Sequence, residues 1–173
     1  MATKIIVDGY NLLACIWSMV DFSRSDIPSI REKLLRKLAS YQIYKKHQLT
    51  VVFDASQGGM PVTRQDKFLG VRIIYTKLGE TADQLIKKML DRNEEGLVIV
   101  TSDRQIADWA REKNVVVVSS REFAAKMELA SSMEDKGVEE GETHQKPLST
   151  KKKGNPRKLP RLHRLHQSLK KKL

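Results

Sequence analysis

An α/β fold built on a parallel sheet is what this sequence predicts, and three observations carry that prediction. Short β-branched runs recur along the chain without polar alternation, as in strands buried on both faces. Stretches with helical apolar spacing lie between most of them. Several of those stretches open with Ser or Thr three residues ahead of Glu or Gln, the pattern of a capping box.

In chain order, Lys4-Ile5-Ile6-Val7-Asp8 reads as the first strand. Ile30, Leu34, Leu38 and Tyr41 then mark one face of a helix, with Ser29 and Glu32 expected to cap it. Thr50 to Asp54 is the second strand. Ala55 to Gly70 has no clear helical period, contains Gly58-Gly59 and Pro61, and reads as a long functional loop. Val71 to Tyr75 is a third, more mixed strand, after which Thr81 and Gln84 cap a helix through Leu85, Ile86, Met89 and Leu90. Leu97 to Thr101 is the fourth strand, and Ser102 with Gln105 opens the helix of Ile106, Trp109 and Ala110. Val115 to Val118 is the fifth, and Ser119 with Glu122 opens the helix around Phe123 and Met127.

At 173 residues the chain has room for one domain and a tail. Its longest apolar run, Leu12 to Trp17, is too short for a transmembrane helix. Asp8 and Asn11 interrupt the first apolar stretch too early for a signal peptide. Cys15 stands alone, which excludes an internal disulfide and a cysteine-rich zinc site, and it reads as a small buried hydrophobe. Trp17 and Trp109 read as packing residues, and His47 as a cation at a helix end. The expectation is a soluble, cytoplasmic protein.

The net charge of +11 belongs to one segment. Eleven Lys and Arg lie between His144 and Leu173 with no acid among them, so residues 1–143 are balanced at 21 of each sign. Residues 1–133 are therefore expected to form the domain, 134–143 an acidic linker, and 144–173 a basic tail, either disordered or an amphipathic helix. Leu159, Leu162, Leu165, Leus 169 and 173 would share one stripe of such a helix. A mobile arm that holds a polyanion, RNA first, is the expectation.

The chemistry is expected where parallel sheets bind ligands, beyond the carboxyl ends of the strands. Asp8 ends the first strand, Asp54 the second, and Asp103 follows the fourth by one Ser. Glu80 and Asp83 flank the start of the helix after the third strand. Singly, each acid has an ordinary explanation as an Asx-turn or a helix-start residue. Collected on one rim they repel one another, and clusters of carboxylate oxygens suit Mg²⁺ or Mn²⁺.

Asp8-Gly9-Tyr10-Asn11, Val51-Val52-Phe53-Asp54-Ala55, Glu80-Thr81-Ala82-Asp83 and Val100-Thr101-Ser102-Asp103 resemble, in order, the motifs of NYN-domain ribonucleases of the YacP-like branch, within the PIN-like superfamily of metal-dependent nucleases. The resemblance covers roughly residues 1–130. It implies a three-layer PIN-like fold, with a parallel sheet of order 3-2-1-4-5 flanked by helices, and a metal-dependent endoribonuclease using Mg²⁺ or Mn²⁺. It implies Asp8, Asp83 and Asp103 as metal-binding acids, Asn11 as a polar residue lining the site, and Glu80, Asp54 and Ser102 as supporting residues. The branch includes an endoribonuclease acting on messenger RNA at the ribosome, which adds the ribosome as a candidate partner beside RNA. The Lys-rich, Pro-interrupted tail departs from the family pattern.

Arg64, Lys67, Arg104, Lys151, Lys152, Lys153, Arg157, Lys158, Arg161 and Arg164 are candidate RNA contacts, with Arg72 and Arg121 as further phosphate candidates. The alternative function is a non-catalytic PIN-like module that binds RNA or the ribosome. A receiver-like phosphoacceptor is a distant third, because the strand ending at Val118 is followed by Ser119-Ser120 with no Lys to meet a phosphoryl group.

Overall fold

The computed structural model describes residues 2–17, 26–55, 61–92, 96–136 and 161–173. Within them the elements run β1 (Lys4–Asp8), α1 (Gly9–Ile16), α2 (Ile27–Lys45), β2 (Gln48–Phe53), β3 (Arg64–Phe68), β4 (Val71–Tyr75), α3 (Ala82–Asp91), β5 (Leu97–Val100), α4 (Arg104–Glu112), β6 (Val116–Val118), α5 (Ser120–Lys136) and α6 (Arg161–Lys172). The six strands form one sheet in the order β3-β4-β2-β1-β5-β6. The five expected strands are β1, β2, β4, β5 and β6; they are parallel and lie in the expected 3-2-1-4-5 order.

The addition is β3, which pairs antiparallel with β4 at the sheet edge, inside the stretch expected to be a loop. Its sequence, Arg64-Gln65-Asp66-Lys67-Phe68, has no β-branched residue and is largely exposed. Pairing with β4, rather than burial, makes it a strand.

Alternation along the central strands feeds two apolar layers. Ile5 and Val7, Val51 and Phe53, and Val98 and Val100 face one side, where they pack with Leu12 of α1, Leu34 and Leu38 of α2 and Phe123 of α5. Ile6, Val52 and Ile99 face the other, against Ile86 and Leu90 of α3 and Ile106 and Ala110 of α4. Gly9 exists for the closeness of the first layer. A Cβ there would stand 2.4 Å from the Phe53 ring and 2.8 Å from the Val52 carbonyl oxygen.

Helix starts follow the expected chemistry in two places and depart from it in two. Thr81 and Gln84 form a full capping box on α3, and Ser119 Oγ accepts the Glu122 amide at 3.1 Å. α2 begins at Ile27, with Pro28 in its first turn, so Ser29 is already helical. On α4 the cap is Asp103, which accepts from the Gln105 and Ile106 amides, and not Ser102. Cys15 is exposed, because it lies on the outer face of α1. His47 is buried, and burial holds its imidazole below the ordinary value, which weakens the case for it as a cation at the α2 terminus.

The end of the tail packs on the body, where a free arm was expected. Leu169 and Leu173 join the first apolar layer. Tyr41 Oη donates to the Leu173 carbonyl at 2.6 Å, His47 Nε2 lies 3.2 Å from the Lys172 carbonyl, and His166 Nε2 lies 3.0 Å from that of Asn114. The apolar stripe explains this: an amphipathic helix buries its leucines on any matching surface. No helix among the described residues is long and apolar enough to cross a membrane.

Candidate active site

β1 is the point of strand-order reversal, since the chain runs from it to β2 on one side and places β5 on the other. Ligands bind beyond the carboxyl ends of strands at such a point. Asp8 ends β1 and caps α1, its Oδ1 accepting the Asn11 amide at 3.3 Å. Its Oδ2 accepts the Thr101 hydroxyl at 3.1 Å, and Thr101 Oγ1 in turn accepts the Asp103 amide at 3.0 Å. One buried hydroxyl thus joins the first and last acids of the rim.

Asp54 lies just past β2 and its Oδ1 accepts the Ala82 amide, which fastens the start of α3 to the sheet. Asp83 follows in the first turn of α3. Glu80 is ion-paired with Lys88 at 2.5 Å, with its own side chain only 7% exposed. This pair ties the residue before Thr81 to the body of α3.

The electrostatics tie these acids together. Burial pushes the Asp8 carboxyl up to about 6, with the Asp83 and Asp103 charges adding to the rise; the Asn11 and Thr101 hydrogen bonds oppose it. Asp83 is raised by burial first, then by Asp103 and, against the pull of Lys87, by Asp54.

Asn11 is a tether. Its Oδ1 accepts the Ser102 amide at 2.9 Å and the Ser120 hydroxyl at 2.6 Å, and Ser102 Oγ accepts the Ser120 amide at 3.1 Å. The first turn of α1, the β5–α4 loop and the start of α5 are thereby held as one unit. Sequence reasoning did not assign the parts played by Thr101 and Ser120. Their signal was a hydroxyl residue at or just past the end of a strand, beside an acid or an amide.

Among the described residues, no three His, Cys, Asp or Glu side chains stand where one metal ion could be held. Asp8 accepts through both oxygens, from Asn11 and Thr101, while Asp54 and Asp103 each cap a helix through Oδ1. The donor chemistry itself suits a hard cation, being carboxylate oxygen on a rim where neighbouring acids add to the upward shift of Asp8 and Asp83.

The basic candidates divide. Arg104 opens α4 beside Asp103, and Arg121 lies in the first turn of α5 beside Ser120, so both border the rim. Arg64 pairs across to Tyr75, at the carboxyl end of β4, and is bonded to Asp66 at 3.2 Å. Lys67 and Arg72 face each other across β3 and β4 toward the opposite end of the sheet. Lys151, Lys152, Lys153, Arg157 and Lys158 lie outside the described residues, and Arg161 and Arg164 are on α6.

Residues 5–167 match the YacP-like NYN domain. The chain belongs to that family. The match runs past residue 130 into α6, so most of the tail is family sequence after all. A YacP protein of Bacillus subtilis strain 168 is 32% identical over 109 residues, 61% of this chain and 63% of that protein. The matched part thus spans somewhat under two thirds of that relative. The crystal structure of Rae1 (YacP) from B. subtilis has a TM-score of 0.64 and 28% identity, covering 80% of each chain. A tryptophan-to-leucine variant of it has a TM-score of 0.66 and 26% identity, covering 79% of this chain and 81% of that one.

Proposed function

We propose that this YacP-like NYN domain is an endoribonuclease that hydrolyses RNA phosphodiester bonds with Mg²⁺ or Mn²⁺, for which Asp8, Asp83 and Asp103 are the candidate ligands. The observation that carries the reading is the placement of these acids beside the reversal point of the sheet, where the charges of Asp83 and Asp103 add to the burial that raises Asp8. When bound, the cation supplies an activated water and neutralises phosphate charge. The chain's own residues do the positioning. Thr101 orients Asp8 and the Asp103 backbone together, Asp54 and Glu80 fix the α3 start that carries Asp83, and Asn11 locks the loop bearing Ser102. Arg104 and Arg121, exposed on the border of the rim, meet the phosphates that flank the scissile bond.

The substrate is cytoplasmic RNA, with messenger RNA on the ribosome as the specific candidate. The basic stretch from Lys146 to Lys172, which includes Lys151 to Lys153, Arg157, Lys158, Arg161 and Arg164, supplies affinity for the RNA of either.

The test is incubation of the purified chain with single-stranded and structured RNAs, with and without Mn²⁺, and mapping of the cut ends. Metal-dependent internal cleavage that Asp103→Asn abolishes is expected. Binding without cleavage at any metal concentration would instead make the chain a non-catalytic RNA-binding module.

A further inference from the structure

The sheet has an open face away from the acid rim. α3 and α4 cover it only over β1, β5 and β6 and part of β2, and beyond Leu85 and Met89 a groove of about 970 Å³ runs over β2, β4 and β3. Four basic side chains line it, Lys4, Lys67, Arg72 and Arg92, against one acid, Asp66. Asp66 is already engaged, by Arg64 at 3.2 Å and by the Lys67 amide at 2.8 Å.

Two features of the lining point to what it takes. Lys67 and Arg72 are direct cross-strand partners on this one face. Like charges placed opposite each other destabilise a strand pair, and an anion between them removes that cost. The lining also contains Gln42, Gln48, Thr50, Thr63 and Gln65 but no aromatic residue. Single-stranded RNA is held by stacking bases on aromatic rings, whereas double-helical RNA is held through phosphates and 2′-hydroxyls by basic and polar side chains.

We propose that this groove binds the sugar–phosphate backbone of double-helical RNA, as a second RNA site at the opposite end of the strands from the acids. The site anchors the protein on a folded RNA while the rim acts on a separate segment. It rests on the reading of the chain as an RNA-directed nuclease for its biological sense, but its test does not depend on cleavage.

The experiment uses the full chain carrying Arg72→Gln and Arg92→Gln together, two exposed residues remote from the rim. Binding of a labelled RNA hairpin and of an unpaired oligonucleotide is measured in EDTA across a salt series, by fluorescence anisotropy. Hairpin affinity is expected to fall about tenfold or more, and the slope of log affinity against log salt to drop by roughly 2, about one per charge removed. Affinity for the unpaired strand and Mn²⁺-dependent cleavage of a short unpaired oligonucleotide are expected to stay at the parent level. Unchanged hairpin affinity and salt slope would overturn the proposal. Equal losses on hairpin and unpaired RNA would overturn the duplex assignment, and a matching loss of short-oligonucleotide cleavage would overturn the separation from the rim. If neither parent nor variant cleaves, the nuclease reading fails, and the binding series still decides the groove.

Discussion

Replacing Asp8 by Asn should stabilise the metal-free protein at neutral pH while removing an acid from the rim. The carboxyl is buried and lies between the charges of Asp83 and Asp103, which raises it from about 3.8 to about 6. A rise of that size corresponds to about 3 kcal/mol, at 1.36 kcal/mol per pH unit. The sign follows from proton linkage. A carboxyl raised on folding contributes stability below its unfolded pKa, and that contribution is lost as pH climbs through the folded value. Stability from Asp8 is therefore full below about pH 4 and gone above about pH 6. Asn resembles the protonated acid and does not ionise. It also turns an amide group toward Asn11 or Thr101, where the carboxylate accepted from both, at a cost of about 1 kcal/mol. Asp8→Asn should thus be slightly less stable than the parent near pH 4 and about 1–2 kcal/mol more stable at pH 7. Urea unfolding in EDTA from pH 4 to 7.5 measures the difference between the two proteins, which cancels groups that titrate alike in both. A difference that does not change with pH would refute the argument that burial and the neighbouring acids strain this carboxylate.

Asn11→Ala should leave the buried Ser120 hydroxyl without its acceptor and release the Ser102 amide. The expected loss is about 2 kcal/mol, or a fall in Tm of about 4–8 °C, read by thermal unfolding. Asn11→Asp keeps both acceptors and adds a charge beside Asp8, so it should shift the Asp8 titration further upward in the same pH series. Gly9→Ala should cost about 1–3 kcal/mol, because its methyl group would overlap a Phe53 ring already packed between Tyr10 and Tyr75; urea unfolding within 0.5 kcal/mol of the parent would show that α1 can back away from β2 at little cost.

Strands buried on both faces announce themselves, because burial demands the same apolar, β-branched residues whatever their neighbours. That is why β1, β2, β4, β5 and β6 were legible, and with them the rim onto which they deliver Asp8, Asp54 and Asp103. β3 was not, since an exposed edge strand carries no burial signal and is defined by its partner. Caps were legible only in part: Ser102 and Asp103 both suit a helix start, and the choice between them depends on the turn geometry that sends the Ser102 hydroxyl to the Ser120 amide instead. The docking of α6 was visible as a stripe of leucines but not as a destination, because the surface that receives it is assembled from α2 and α5. The division of the basic residues between rim and groove was out of reach for the same reason. Lys67 and Arg64 are three positions apart in the chain and belong to opposite ends of β3.

The placement of the first strand at the centre of the sheet has a consequence for the newly made chain. β1 is made before its partner β2, Gln48–Phe53, but the other edge of β1 stays open until Leu97–Val100 has been made. At about 5–20 residues per second that interval lasts several seconds. During it, a strand whose last four residues are buried in the finished protein presents unpaired amides and carbonyls to its surroundings. Asp8 and Thr101 meet only when that edge closes, so a partly synthesised chain cannot assemble the acid rim, and one that stops short of β5 carries an aggregation-prone edge in its place.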